Sequence, residues 1–166
     1  PLRLVGSEMC IRDSPNAVLL LAGRGDLEES IRARVDELGL KKAVFFLGVV
    51  DDVPRLLRAA DVFVFPSINE GLALSVVEAQ ASGLPTIAST GVPELAVVSD
   101  RVCRMPLSSG VEAWATECVD KLRFSLSSER SDACDQIREH GFDVADTSVR
   151  LAAFYETAKK GDCAQW

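Results

Sequence analysis

Basic residues, aromatic residues and histidine are all scarce in this 166-residue sequence. Eighteen lysines and arginines face 25 aspartates and glutamates, which gives a formal net charge of −7, and aromatic residues make up 6% of the chain. A general nucleic-acid binder needs a basic face for phosphates, so the composition excludes that class. The one histidine, His140, lies late in the chain, and we interpret it as a surface or helix-end residue.

Long apolar runs are missing as well. The most apolar stretch of suitable length is interrupted by Pro66, Asn69 and Glu70, whereas a membrane-spanning helix needs roughly 20 apolar residues. The first 14 residues contain charged side chains and no continuous apolar core, so they do not have the pattern of a secretory signal. The expected compartment is therefore the cytoplasm.

Cysteines are few and do not form a pattern. The five are odd in number and too widely spaced for a disulfide framework, a zinc site or a redox motif, so we expect reduced thiols at Cys10, Cys103, Cys118, Cys134 and Cys163. No other grouping of residues suggests a bound metal or cofactor.

The length and apolar content, 166 residues of which 48% are apolar, are suited to one domain. Residues 1–14 do not share the periodicity of the rest, and the string SEMCIRDS resembles a translated sequencing adaptor. We therefore expect residues 1–14 to be a non-native or disordered leader and residues 15–166 to form one Rossmann-like domain.

Short apolar runs alternate with helical patterns up to about residue 105. Such alternation predicts an α/β fold with a Rossmann-like, doubly wound parallel sheet. The first run, 17–22, reads as a strand buried on both faces, and Asp26 is expected to cap the helix that follows. Strands are predicted at 17–22, 44–47, 62–65, 86–88 and 101–105, helices at 27–38, 53–60 and 72–82, and a helical tail at 111–124, 129–139 and 146–159.

Two glutamates carry the most informative chemistry. Glu70 follows the apolar strand 62–65, at the edge where open parallel sheets bind ligands, and Glu78 lies eight residues later in the predicted helix. Eight residues of helix span about 12 Å. Gly71 is expected to open that helix, whose free N–H groups at Gly71–Leu74 suit a diphosphate. This pattern fits a ligand with hydroxyl groups at both ends and phosphates between them.

The surrounding residues resemble a known motif. The string FPS-x-x-EG-x6-EA-x-A-x-G-x-P-T, followed by TGVPE, is similar to the donor-site motif of retaining family 4 glycosyltransferases, which have the two-domain GT-B fold. The resemblance covers roughly residues 16–124 and is closest to members that assemble exopolysaccharide and capsule. The matching residues are Phe65, Pro66, Ser67, Glu70, Gly71, Glu78, Ala79, Ala81, Gly83, Pro85, Thr86, Gly91, Pro93 and Glu94.

The resemblance implies a role for each site residue. Glu70 would contact the hydroxyls of the transferred sugar, as a binding and orienting group of the catalytic site rather than as a nucleophile. Glu78 would hold the ribose, the loop Gly48, Val49 and Val50 would seat the nucleobase, and the distal phosphate would meet backbone groups of Gly71, Leu72, Ala73 and Leu74.

The resemblance also implies an architecture and a reaction. The chain would be the C-terminal, donor-binding half of an enzyme whose N-terminal half, absent from this sequence, holds the acceptor site and a basic pair for the diphosphate. The intact enzyme would transfer a hexose from a UDP- or GDP-linked donor, with retention and without a metal, to a glycan or lipid-linked acceptor. It could associate peripherally with the inner face of the membrane, and the chain alone would be inactive.

The sequence suggests three other interpretations. Gly23, Arg24 and Gly25 could begin a dinucleotide-binding fingerprint, but the third glycine is missing, so we interpret them as a structural turn. A GT-B nucleotide-sugar epimerase would not carry the full motif. A non-catalytic sugar-nucleotide-binding remnant remains open from sequence alone.

Overall fold

The computed structural model describes residues 17–127, 130 and 133–159, so the expected leader at residues 1–14 lies outside the described part of the chain. Within it, strands and α-helices alternate up to β5 and only helices follow, which confirms the α/β fold with a helical tail. The strands are β1 (Leu19–Ala22), β2 (Val44–Gly48), β3 (Phe63–Phe65), β4 (Thr86–Ser89) and β5 (Val102–Met105), and the α-helices are α1 (Glu28–Glu37), α2 (Val53–Ala59), α3 (Leu74–Ala81), α4 (Gly110–Ser127), α5 (Ala133–Glu139) and α6 (Val144–Lys159).

All strand pairs are parallel, as predicted, but they form two hydrogen-bonded sheets rather than one. β1 pairs with β2, and β3, β4 and β5 pair in that order. No ladder joins the two sheets within the described residues. The sequence did not predict this division, because apolar periodicity identifies strands without specifying which strand edges meet.

The two-stranded sheet is covered on one face only. Val35 of α1 packs with Val44 against the side chains of Leu19 and Leu21. The alternate residues face outward, so Leu20 is 41% exposed and the next strand shows the same alternation. The prediction that the first strand is buried on both faces was therefore wrong, because α1 covers one side of the pleat and leaves the other open.

The three-stranded sheet is buried much more deeply. Every residue of β4 is buried, and Ile87 packs against Trp114 of α4, whose indole N–H donates to the carbonyl of Pro106 at 3.2 Å. On the helix α3, Val76 and Ala79 are completely enclosed. Since burying one large aliphatic side chain contributes roughly 1.5–3 kcal/mol, this sheet supplies most of the stabilising apolar contact in the fold.

Helix starts show where sequence patterns were sufficient and where they were not. Asp52 caps α2, since its Oδ1 accepts from the N–H of Arg55 at 3.0 Å, and an aspartate just before a helix is a common capping residue. Asp26 does not cap α1; the cap position is Leu27, without a side-chain hydrogen bond. The N–H of Glu28 instead donates to the carbonyl of Gly25 at 3.0 Å, so a backbone turn replaces the side-chain cap.

The helical tail starts differently from its prediction. Helix α5 begins at Ala133 rather than near residue 129, and the residues just before it lie outside the described part of the chain. Helix α6 begins at Val144 rather than Asp146, because Asp143 caps it: its Oδ1 accepts from the N–H of Ala145 at 2.8 Å. That bond is the main cause that holds the pKa of Asp143 below its usual range, and the hydrogen bonds with Arg138 and Asp146 lower the pKa further.

Candidate functional site

Glu70 lies in the loop that leaves the carboxyl end of β3, where the sequence predicted it. Its side chain is half-buried, and its Oε1 accepts a hydrogen bond from the hydroxyl of Ser67 at 2.6 Å. The short separation is typical of a hydroxyl bonded to an ionised carboxylate. The carboxylate is therefore tied to its own loop on one oxygen and reaches the surface of the sheet edge.

The loop is braced from the neighbouring strand. The hydroxyl of Ser89, at the buried end of β4, donates to the carbonyl of Ser67, and the N–H of Glu70 donates to the carbonyl of Gly91 at 3.1 Å. Gly91 packs so closely that a Cβ there would lie 2.9 Å from the carbonyl oxygen of Ser67 and overlap that of Ile68. Only glycine permits this approach, so the two loops behave as one unit.

Helix α3 begins later than the sequence predicted. Its first residue is Leu74, and Ala73 before it adopts a left-handed conformation with φ 56°. This conformation breaks the helical path, so Gly71 and Leu72 belong to the loop. The continuous helix before Glu78 therefore starts only at Leu74, four residue steps or about 6 Å of axial rise away. The estimate of 12 Å of helix between Glu70 and Glu78 was wrong.

The start of α3 nevertheless offers unpaired backbone donors. The N–H of Val76 bonds to the carbonyl of Ala73 at 2.9 Å, whereas those of Leu74 and Ser75 have no backbone acceptor among the described residues. The side chain of Leu74 is 60% exposed, so this end of the helix faces outward. An eight-residue helix with free N–H groups at an open end is favourable for an anion.

Glu78 lies one turn further along α3 and is exposed, between the buried residues Val77 and Ala79. Among the described residues no hydrogen bond or ion pair engages its carboxylate. The sequence-predicted elements Glu70, Gly71–Leu74 and Glu78 thus follow one another along a single loop and helix at the carboxyl end of β3.

Gln80 fixes this helix and was not singled out from the sequence. It is completely buried; its amide nitrogen donates to the carbonyl of Ala96 at 2.7 Å, and its amide oxygen accepts from the N–H groups of Val98 and Ser99 at 3.0 and 3.1 Å. The signal was present, since a glutamine on the apolar face of a helix requires partners. The network joins α3 to the segment that follows the Gly91 loop.

The predicted nucleobase loop lies on the other sheet. Gly48 ends β2 with φ +63°, and its carbonyl accepts from the N–H of Gly23 at 2.6 Å. Arg24 extends toward it, with its Nε 3.7 Å from the position that a Cβ on Gly48 would take. Val49 is 68% exposed. Gly48, Val49 and Val50 thus adjoin the Gly23–Gly25 turn, a proximity that the sequence did not indicate.

A cavity of about 420 Å³ is lined in part by that turn and lies at the start of α1. Its lining includes Leu21, Arg24, Asp26, Glu28 and Phe46. Two carboxylates beside a helix N-terminus disfavour a phosphate, which agrees with our interpretation of the glycines as a structural turn rather than a dinucleotide fingerprint.

The remaining reactive side chains are separate from this edge. Cys103, Cys118 and Cys134 are not in disulfide bonds, and burial, reinforced by Glu117, raises the pKa of Cys103. Cys10 and Cys163 lie outside the described residues. His140 is exposed just after α5, with Nδ1 2.8 Å from a backbone carbonyl, as interpreted from its position.

The described residues contain neither a candidate metal site nor a candidate membrane-spanning helix. No group of three or more histidine, cysteine, aspartate or glutamate side chains in them could hold a metal ion. None of their helices combines the length and apolar character that crossing a membrane requires.

The parallel α/β fold, with its acidic loop and helix at a strand's carboxyl end, is that of the C-terminal domain of a GT-B glycosyltransferase. The model for Glycosyl transferases group 1 matches residues 7–139, and the chain belongs to this family.

Two relatives illustrate the similarity. EpsF of Bacillus subtilis (strain 168), whose name marks it as a glycosyltransferase, is 33% identical over 145 residues, which are 87% of this chain and 38% of EpsF. The UDP-Gal:alpha-D-GlcNAc-diphosphoundecaprenol alpha-1,3-galactosyltransferase of Escherichia coli is 41% identical over 76 residues, 45% of this chain and 20% of that enzyme. The chain thus spans well under half the length of either relative.

A solved structure supports the fold. Anabaena HepE in complex with UDP superposes with a TM-score of 0.73 at 20% identity, over 93% of this chain and 44% of HepE.

Proposed function

We propose that residues 15–166 form the nucleotide-sugar-binding domain of a retaining glycosyltransferase that transfers a hexose from a UDP- or GDP-linked donor. The observation that carries the proposal is the succession of a fixed carboxylate, unpaired amide groups and a second carboxylate along one loop and helix. Each group suits one part of a nucleotide sugar, and HepE, which shares the fold, was solved with UDP and with UDP-glucose.

In this proposal each group meets a defined part of the donor. Glu70 accepts hydrogen bonds from the sugar's hydroxyls, and Glu78 accepts them from the ribose. The distal phosphate lies against backbone groups of Gly71, Leu72, Ala73 and Leu74, where the free N–H groups at the start of α3 stabilise its charge without a metal.

The nucleobase is assigned to the loop Gly48, Val49 and Val50. The exposed Val49 offers an apolar surface, and the backbone of the loop supplies donors and acceptors for the edge of the base. Because this loop follows β2 while Glu70 follows β3, the donor would extend from the two-stranded to the three-stranded sheet. Arg24, beside Gly48, adds a positive charge at the base end.

The complete reaction belongs to a longer protein. An N-terminal domain would bring a glycan or lipid-linked acceptor and the basic pair for the diphosphate, in exopolysaccharide assembly at the inner face of the membrane. Catalysis would rest on electrostatic support of the leaving diphosphate and on positioning of the acceptor, with Glu70 orienting the sugar. The present chain alone is then expected to bind donors weakly and to be inactive in transfer.

Calorimetric titration with UDP and GDP tests the proposal. The wild-type chain is compared with Glu78→Ala and with a matched control, Glu112→Ala, an exposed helical glutamate of α4. Losing hydrogen bonds to a charged group costs about 1.5–3 kcal/mol, so Glu78→Ala is expected to weaken binding roughly tenfold or more. The control should bind as the wild type does. Equal affinities in all three proteins would contradict the assignment of Glu78 to the ribose.

A further inference from the structure

The carboxylate of Glu70 is held in one orientation although it lies in a loop. A glutamate has several rotatable bonds, and holding it still costs side-chain entropy unless another group fixes it. The hydroxyl of Ser67 does so, at 2.6 Å from Oε1. Among the described residues no second donor is bonded to this carboxylate, so Oε2 stays available to a ligand.

Ser67 is itself fixed by the neighbouring strand. Its carbonyl accepts from the hydroxyl of Ser89, which is completely buried, and lies close to Gly91, which in turn accepts from the N–H of Glu70. These contacts fix the main chain of Ser67, and its hydroxyl lies nearer to Oε1 of Glu70, at 2.6 Å, than to the carbonyl oxygen of Asn69, at 3.5 Å.

We infer that Ser67 is a positioning residue for the donor sugar: it orients the Glu70 carboxylate so that its second oxygen meets the sugar's hydroxyls. The inference rests on the proposed function and deepens it, because it separates the sugar's contribution to binding from the nucleotide's. Ser67 contacts no part of the nucleotide in this scheme, since the ribose is held by Glu78 and the phosphate by the start of α3.

The quantity that reports this role is the sugar increment, defined as the Kd for UDP divided by the Kd for a UDP-sugar. UDP-glucose, UDP-galactose and UDP-N-acetylglucosamine are titrated against the wild-type chain, and the sugar with the largest increment is used for the variants. Loss of an oriented, charged hydrogen bond predicts a decrease of the increment by about tenfold in Ser67→Ala. The Kd for UDP itself should change less than about twofold.

A matched pair of variants isolates the hydroxyl. Ser67→Thr keeps the hydroxyl, and Ser67→Val has the shape of that threonine without the hydroxyl. The threonine variant is therefore expected to keep the sugar increment, and the valine variant is expected to lose it. Ser108→Ala, an exposed serine before α4, is the control for the loss of a hydroxyl elsewhere. Thermal unfolding of each variant identifies any that fail to fold, and Ser67→Ala against Ser67→Thr remains decisive if the valine variant does.

The outcomes distinguish the two claims. A lower increment in Ser67→Ala and Ser67→Val, with UDP affinity retained and threonine restoring the effect, supports the inference. An unchanged increment in folded Ser67→Ala, with UDP binding intact, overturns the inference and leaves the proposed function standing. A wild-type chain that binds UDP but gains nothing from any sugar also overturns it. If the wild-type chain binds neither UDP nor GDP, the proposed function is overturned and the inference with it; if it binds only GDP, the same increments are measured with GDP and GDP-sugars.

Discussion

The two sheets differ in how far their apolar residues are buried. In β1 and β2 one face packs on α1, while Leu20, Phe45 and Leu47 on the other are 38–45% exposed. In β3–β5 the central strand is enclosed on both sides, and helices α3 and α4 pack on it. The difference teaches that an apolar run indicates a strand but not the depth at which it lies.

The difference also bears on the site. The braces that hold Glu70 come from the buried strand β4, through Ser89, and from the Gly91 loop that follows it. Among the described residues, the loop Gly48–Val50 accepts one backbone hydrogen bond outside the helices and strand ladders, from Gly23, and its Val49 is exposed. We therefore expect the sugar and phosphate end of the donor site to be preformed to a greater degree than the base end.

The largest expected effect comes from replacing two leucines by alanine, one at each sheet. Leu84 is completely buried between α2 and α3, whereas Leu20 is 41% exposed on β1. Leu84→Ala should lower the free energy of unfolding by about 3–4 kcal/mol, through lost burial and a residual cavity. Leu20→Ala should lower it by less than about 1 kcal/mol. Urea denaturation of both variants checks the pair, and equal losses would remove the contrast between the sheets.

Two glycines with the same backbone angle form the second pair. Gly83 and Gly39 have φ +68° and +69°, but a Cβ on Gly83 would lie 2.6 Å from Cβ of Arg130, whereas none lies within 4 Å at Gly39. Gly39→Ala should lower the free energy of unfolding by about 1 kcal/mol, because alanine is strained in the left-handed conformation and meets no other obstacle there. Gly83→Ala should cost about 2–3 kcal/mol, since overpacking adds to it. Thermal unfolding measures both; a larger loss at Gly39 would be inconsistent with the tighter packing described for Gly83.

Removing the buried amide gives the third effect. Gln80→Met keeps the volume but leaves the N–H groups of Val98 and Ser99 without their acceptor, and we expect a loss of about 2 kcal/mol. Glu29→Met, on the exposed face of α1, is the control and should change stability little. Chemical denaturation is the measurement. Nucleotide affinity should fall in the Gln80 variant too, because the network holds the helix that carries Glu78.

The smallest effect lies outside both sheets, at the start of α6. The pKa of Asp143 is lowered in the folded state, mainly by its bond to the N–H of Ala145, so its stabilising effect is present above the unfolded pKa and is lost as the pH falls through the folded value. Asp143→Asn should therefore be less stable than the wild type at pH 7, and the gap should narrow below about pH 3.8. Melting temperatures across this range test it, and a gap independent of pH would show that the charge is not involved.

Much of the fold could be predicted because local patterns determine it. All five strands, the cap at Asp52 and the glycine that ends α1 follow from periodicity and residue type. The division into two sheets could not, since it depends on which backbone edges meet. The start of α3 was also missed, because the left-handed Ala73 is set by packing against its surroundings rather than by its own preference.

The residues of the candidate site that would contact a ligand could be predicted from their type and position, but the residues that support them could not. Glu70 and Glu78 are recognisable from their place after a strand and on a helix. The hydroxyl of Ser67, the contact at Gly91 and the network of Gln80 join residues 3 to 24 positions apart, through contacts that no local periodicity encodes. Sequence reasoning therefore found the groups that would touch a ligand and missed those that orient them.

Amide hydrogen exchange of the chain, with and without UDP, tests most directly whether the donor binds at the carboxyl end of β3. The account predicts slower exchange in residues 67–78 when UDP is present, together with a smaller change at residues 48–50. Protection confined to residues 23–28, around the cavity at the start of α1, would contradict it and place the nucleotide in that cavity, away from Glu70 and Glu78.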